Sequence, residues 1–209
     1  MSEVYQWTFR KLIDESASDA PTPGGGSVSA LVASLGTAMV AMVSNLTVGK
    51  EKYADVQDEV KEIKDETYQL LEKLEELVTK DIAAFGEFMR VLKMPKGNDE
   101  EKKIRSAEMQ KAYIYATDTP LEIAKTCLEA LKLADKLSPI GNKGAISDVG
   151  VAAYVGEAAL KSVLLSVDIN LPGIKDQDYT AKAVKEKEML ISEAETLREK
   201  TIKVVQERM

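Results

Sequence analysis

The chain contains no histidine and one cysteine, Cys127. Without histidine, proton transfer must fall to Asp, Glu, Lys, Tyr or Cys. The usual zinc-ligand set is missing too, so no metal site is expected. A lone cysteine excludes an intrachain disulfide. Positive charge is in deficit: 28 Lys and Arg face 35 Asp and Glu, for a net charge of −7. That balance argues against a nucleic-acid partner. No strand-like alternation persists, and no 20–50-residue repeat is visible. Charged residues near the start (Glu3, Arg10, Lys11, Asp14, Glu15) do not read as a secretory leader, so a cytoplasmic location is expected.

One absence is local. No charged side chain lies between Asp19 and Lys50, although 30% of the residues are charged. The segment opens with Pro21-Thr22-Pro23-Gly24-Gly25-Gly26-Ser27. Three successive glycines are entropically costly and suit a backbone that something approaches closely. Ser27 reads as an N-cap for the helix behind them. Free amides at such a helix start favour an anion or polar ligand. The uncharged stretch is long enough to span a membrane. Its Ser, Thr and Gly residues and lack of an aromatic belt favour a helix buried on every side in a bundle. The glycines are not a Walker loop, since no Gly-Lys-Ser/Thr follows, and no strand precedes them as in a dinucleotide site.

The rest reads as helix. Val56, Val60, Ile63, Thr67, Leu70, Leu74 and Leu77 form a heptad-like stripe. The spacing predicts a helix from about Asp55 to Leu92. A second runs from Asp99 toward Lys136, with a kink or break expected at Asp118-Thr119 because Pro120 follows. Ser138–Gly144 is a turn-rich loop, Ser147 to Val167 another buried helix, and Thr180 to Arg208 a charged surface helix. The expected fold is all-α: a single domain over residues 1–209, an elongated up-and-down bundle of long helices that dimerises.

Asp81 occupies the next position on the apolar stripe, ahead of Phe85 and Phe88. A buried carboxylate must be paired or capped by backbone groups, or else carry a raised pKa useful for moving a proton. Ser147 and Asp148 follow the second glycine-containing loop. They are either ordinary helix-start residues or a second carboxylate site beside the first glycine loop. Asn45, Lys50 and Tyr53 stand at the far end of the uncharged helix, where Lys50 is a helix-end cation or a contact for a ligand anion. Asn142 and Lys143 belong to the second loop.

These blocks, taken in order, resemble the formiminotransferase-cyclodeaminase C-terminal family: Pro21–Ser27, Asn45–Lys50 with Tyr53, Lys80–Phe85, Thr119-Pro120-Leu121, Ile146–Ala153 and Asp168-Ile169-Asn170. With no formiminotransferase region in its 209 residues, the sequence is similar to the stand-alone members. The resemblance implies an all-α homodimer or higher oligomer. Its substrate would be a tetrahydrofolate derivative, with or without a polyglutamate tail, and no other cofactor or membrane is implied. The reaction would be cyclodeamination of 5-formiminotetrahydrofolate to 5,10-methenyltetrahydrofolate and ammonia, or the related methenyltetrahydrofolate cyclohydrolase step. In that frame Asp81 and Asp148 are the acid–base candidates. Gly24, Gly25, Gly26, Ser27, Asn45, Lys50, Tyr53, Asn142, Lys143 and Ser147 are the binding candidates, with Lys50 or Lys143 meeting the tail. A non-catalytic helical assembly module is the alternative from another class.

Overall fold

A computed structural model describes residues 3–209. Its helices are α1 (Phe9–Ser16), α2 (Gly25–Thr47), α3 (Gln57–Leu92), α4 (Asp99–Leu137), α5 (Ile146–Asn170) and α6 (Gln177–Arg208). Short 3₁₀ turns sit between some of them, and no strand occurs among the described residues. Helices α2, α3, α4 and α5 form a ring in which each packs on the next and α5 closes on α2, while α6 lies across α4 and α5. At 36 and 39 residues, α3 and α4 run about 54 and 58 Å. The all-α, elongated expectation holds.

Sequence pattern explains the packing. Val60, Ile63, Thr67, Leu74 and Leu77 of the stripe are buried, and Val56 and Leu70 pack at its edge. Hydroxyls within the uncharged α2 bond back to carbonyls four residues earlier, as Thr37 does to Ala33 at 2.8 Å and Thr47 to Val43 at 2.7 Å. This satisfies polar groups that α2 could not otherwise bury. Close approach of α2 to α5 requires Gly36, where a Cβ would meet Val155 Cγ1 at 3.0 Å.

Two expectations fail here. First, α2 is not buried on every side. Leu35 stays 62% exposed, and on α5 Leu165 and Ile169 are 68% and 79% exposed. A ring of four helices gives each an outward face, and on α2 and α5 that face is apolar. Both helices are long and apolar enough to cross a membrane by length and composition, yet over half of each apolar window is packed inside the bundle.

Second, of the kink or break expected at Asp118-Thr119, the break does not occur. Helix α4 runs from Asp99 to Leu137 with the proline inside. Proline has no N–H, so the carbonyl of Ala116 loses its helical donor. Asn170, at the end of α5, supplies the replacement: its Nδ2 donates to Ala116 O at 2.8 Å and to Ser166 O at 2.8 Å. A tertiary hydrogen bond thus does the work of the missing helical one.

Asn170→Ala should cost about 1 kcal/mol, the usual net worth of a hydrogen bond to a partly buried carbonyl. In a Pro120→Ala background, where residue 120 regains an N–H for Ala116, the cost should shrink by roughly 1 kcal/mol. Urea melts of the four proteins in this cycle measure the coupling.

Candidate functional site

Helix α2 begins at Gly25 with Gly24 as its N-cap, and no side chain caps it. Ser27 is therefore not the N-cap. It sits in the first turn, fully buried, and its hydroxyl donates to Asp81 Oδ2 at 2.6 Å. The Ser27 backbone N–H donates to the same carboxylate. The first amides of a helix lack partners within it. Here a carboxylate from α3, 54 positions along the chain, meets one of them. The positive end of the α2 dipole favours the ionised form.

Gly26 makes this arrangement possible. A Cβ at position 26 would lie 2.8 Å from Asp81 Cγ and Oδ2. Nothing stands within 4 Å of a Cβ built at Gly25. Gly25 instead presents bare backbone to an open cleft, so the glycine run serves two purposes.

That cleft has a volume of about 460 Å³, in the range of small-molecule sites. It is lined by the Gly24–Gly26 backbone and Asp81, by the aromatic side chains of Phe85, Phe88 and Tyr113, and by Ala116 and Asn170. Phe88 and Tyr113 meet edge to face with ring centroids 5.1 Å apart. Both amide hydrogens of Asn170 are committed to carbonyls. Its Oδ1 is what remains to accept from a ligand. The cleft thus combines an aromatic wall with two acceptors, Asp81 and Asn170, a donor–acceptor pattern suited to a flat heterocycle rich in N–H groups.

Burial raises the Asp81 pKa above the ordinary carboxylate value, and the side-chain and backbone hydrogen bonds from Ser27 partly offset the rise. Desolvation wins. Asp81 is at once backbone-capped and exposed to a cleft, so the two readings of it coexist.

The other candidates lie elsewhere. Helix α2 is 23 residues long, so its two ends stand about 34 Å apart. Asn45, Lys50, Tyr53, Asn142, Lys143, Ser147 and Asp148 gather around its C-terminal end, not beside the first glycine loop. Asn142 ties that end off: its Nδ2 donates to Leu46 O at 2.8 Å and its backbone N–H to Thr47 Oγ1 at 2.8 Å. Tyr53 Oη accepts the Lys143 N–H at 2.9 Å, and Asn45 Nδ2 donates to Tyr68 Oη at 3.0 Å. Lys50, Lys143 and Ser147 are exposed, and Asp148 is half-exposed. Within one protomer, these residues terminate α2 and start α5; they do not join Asp81.

Tyr113 and Asn170 were not singled out as site residues from sequence. A usable signal existed for Asn170, because a mid-helix proline leaves a carbonyl that must find a donor. Cys127 is buried, and burial pushes its thiol up to about 12, consistent with a packing role.

An all-α ring with a cleft that offers a capped carboxylate and an aromatic wall defines a small-molecule enzyme of the helical-bundle class. Residues 8–189 match the family model described as formiminotransferase-cyclodeaminase, and the chain belongs to that family. It is 38% identical to a methenyltetrahydrofolate cyclohydrolase of Methylorubrum extorquens, with 97% of each chain covered. A formimidoyltransferase-cyclodeaminase of Rattus norvegicus is 29% identical over 90% of this chain, which spans 35% of that longer protein. Among solved structures, a formiminotetrahydrofolate cyclodeaminase of Thermotoga maritima superposes with a TM-score of 0.88 at 28% identity, covering 98% of each chain.

Gly26→Ala should push the Asp81 carboxylate away from α2. The expected result is a loss of about 1–3 kcal/mol of stability and a larger loss of ligand affinity than Gly25→Ala gives. Melting curves with and without added folate check both.

Proposed function

We propose that this protein is a tetrahydrofolate one-carbon enzyme working at the carbon that bridges N5 and N10. The observation that carries the reading is the Asp81 carboxylate, held by Ser27 in an aromatic-lined cleft, in a chain whose relatives include both a cyclohydrolase and cyclodeaminases. In the cyclodeaminase direction, N10 of 5-formiminotetrahydrofolate attacks the carbon of the protonated formimino group, leaving an exocyclic –NH2. Asp81 takes the N10 proton and returns it to the exocyclic nitrogen, the carbon–nitrogen bond breaks, and ammonia leaves the 5,10-methenyl cation. A carboxylate with a raised pKa can make both transfers, and such help is worth roughly 10²–10⁴-fold. The cleft adds proximity by holding N10 against the carbon.

A second reading is favoured by the full-length 38% identity to the cyclohydrolase. In that reaction Asp81 takes a proton from water as it attacks the methenyl carbon and returns it to N5; the carbon–N5 bond breaks, the hydroxyl proton passes to solvent, and 10-formyltetrahydrofolate results. Neither reading asks for a further cofactor. The exposed apolar faces of α2 and α5, including Leu35, Leu165 and Ile169, support a homodimer formed through them. Burial of much of α2 and α5 supports a cytoplasmic protein rather than a membrane one.

The test follows absorbance of the methenyl chromophore. Appearance from 5-formiminotetrahydrofolate with ammonia release supports the first reading, and consumption of 5,10-methenyltetrahydrofolate above the spontaneous rate supports the second. Silence in both assays overturns the proposal.

Asp81→Asn should reduce turnover by at least roughly 10²-fold. The parent rate should fall on its acid limb at a pH above the ordinary carboxylate value of 3.8, and the limb should vanish in the variant. The raised pKa means that the fold binds this proton more tightly than the unfolded chain does. Its contribution to stability is complete below the unfolded pKa and is lost as pH rises through the folded one. Asp81→Asn should therefore melt no lower than the parent at pH 7, which separates a catalytic loss from unfolding.

A further inference from the structure

The chain leaving α5 is tied to α4 through Ala116, Tyr113 and Gln110, each three residues from the next and so neighbours on the helix surface. The Ala116 carbonyl accepts from Asn170 Nδ2 at 2.8 Å. Gln110 donates to Gly173 O at 2.9 Å and accepts the Lys175 N–H at 2.7 Å. The 170–175 segment is thus a strap pinned to α4 at both ends. Tyr113 lies beneath its middle. A Cβ at Gly173 would lie 2.5 Å from both Cε1 and Cε2 of Tyr113, so the ring rests against bare backbone. Gly173 does not have a positive φ, and the backbone there would accept an alanine. What excludes a side chain at 173 is the ring.

Phe88 of α3 meets the same ring edge to face. Packing from the strap and from α3 therefore fixes where the phenol stands. Its hydroxyl is left for something else. Tyr113 is half-buried and lines the Asp81 cleft. Among the described residues no hydrogen bond reaches Tyr113 Oη, while the carbonyl of the same residue accepts from Thr117 Oγ1 at 2.8 Å. Asp81, when ionised, and Asn170 offer a ligand only oxygens, which accept. A phenol can donate. Thr22 and Ser166 also bring hydroxyls to the cleft; Tyr113 differs in that its position is clamped.

We infer that Tyr113 is a specificity-determining residue of the Asp81 cleft: its hydroxyl donates to the ring carbonyl of the bound heterocycle, and Gly173 is the positioning residue that sets where that hydroxyl stands. The inference rests on the folate reading above. The tetrahydrofolate heterocycle carries a ring carbonyl beside its N–H groups. Asp81 and Asn170 suit the N–H groups. A carbonyl set against either would bring two acceptors together and leave both unpaired, which costs affinity. A donor at Tyr113 therefore fixes which way round the flat ring lies, and with it the position of N5 and N10 relative to Asp81. A site that hydrogen-bonds a ligand group in this way discriminates against an analogue lacking that group.

The experiment compares binding of tetrahydrofolate and of its 4-amino counterpart, in which an amino group replaces the ring carbonyl, to the full chain by calorimetry. The parent should prefer the carbonyl form by roughly tenfold or more. Tyr113→Phe keeps the ring and removes only the donor. It should weaken tetrahydrofolate binding roughly three- to tenfold, shrink the preference and melt like the parent. Gly173→Ala should displace the ring, weaken tetrahydrofolate binding at least as much and shrink the same preference. In a Tyr113→Ala background no ring is left to displace, so adding Gly173→Ala should cost no further affinity; a glycine needed only for the fold would show no such coupling. Tetrahydrofolate binding with no preference in the parent, or with a preference that survives in Tyr113→Phe, overturns the role of Tyr113 and leaves the folate reading standing. Parent-like binding by Gly173→Ala overturns the positioning role of Gly173. Failure of the parent to bind tetrahydrofolate overturns the inference and the folate reading together.

Discussion

Everything at the candidate site depends on one contact, the Asp81 carboxylate seated against the first turn of α2. Four features meet there. Gly26 leaves the space, Ser27 supplies two donors, the helix terminus supplies a favourable field, and the surrounding bundle supplies the desolvation that raises the pKa. The last two oppose each other. A carboxylate that was only stabilised would be a poor proton carrier, and one that was only desolvated would be costly to keep. Asp81 is held between those limits, with burial the larger effect.

The second constraint is Pro120. Its missing N–H leaves the Ala116 carbonyl for Asn170, and the bond fixes the end of α5 against the middle of α4. With its amide hydrogens committed to carbonyls, Asn170 lines the same cleft as Asp81. From there the 170–175 segment continues to Gln110, whose Oε1 accepts the Lys175 N–H at 2.7 Å. Two local irregularities, a glycine run and a proline within a helix, therefore shape one site.

Much of this was legible in the sequence. The apolar stripe from Val56 to Leu77 marks α3, and Asp81 declares itself as the carboxylate that interrupts it. Gly24–Gly26 mark the start of α2. What local pattern could not supply was the meeting of Asp81 with Gly26, which depends on α2 and α3 packing antiparallel. For the same reason Asp148 looked like a partner of the first glycine loop. Both loops flank buried helices, and only the 23-residue length of α2 and the chain direction separate them. Pro120 misled because a helix rule was applied without the tertiary donor that overrides it. The outward faces of α2 and α5 misled because an uncharged segment reads alike whether every side of it packs within the bundle or one side is left exposed.

The most direct measurement is a crystal structure of the protein soaked with a tetrahydrofolate ligand. The account predicts density in the cleft between Gly25, Phe88 and Asn170, with a ligand nitrogen within hydrogen-bond distance of Asp81. A ligand seated at the Tyr53–Asn142 end of the same protomer, with the Asp81 cleft empty, would contradict it.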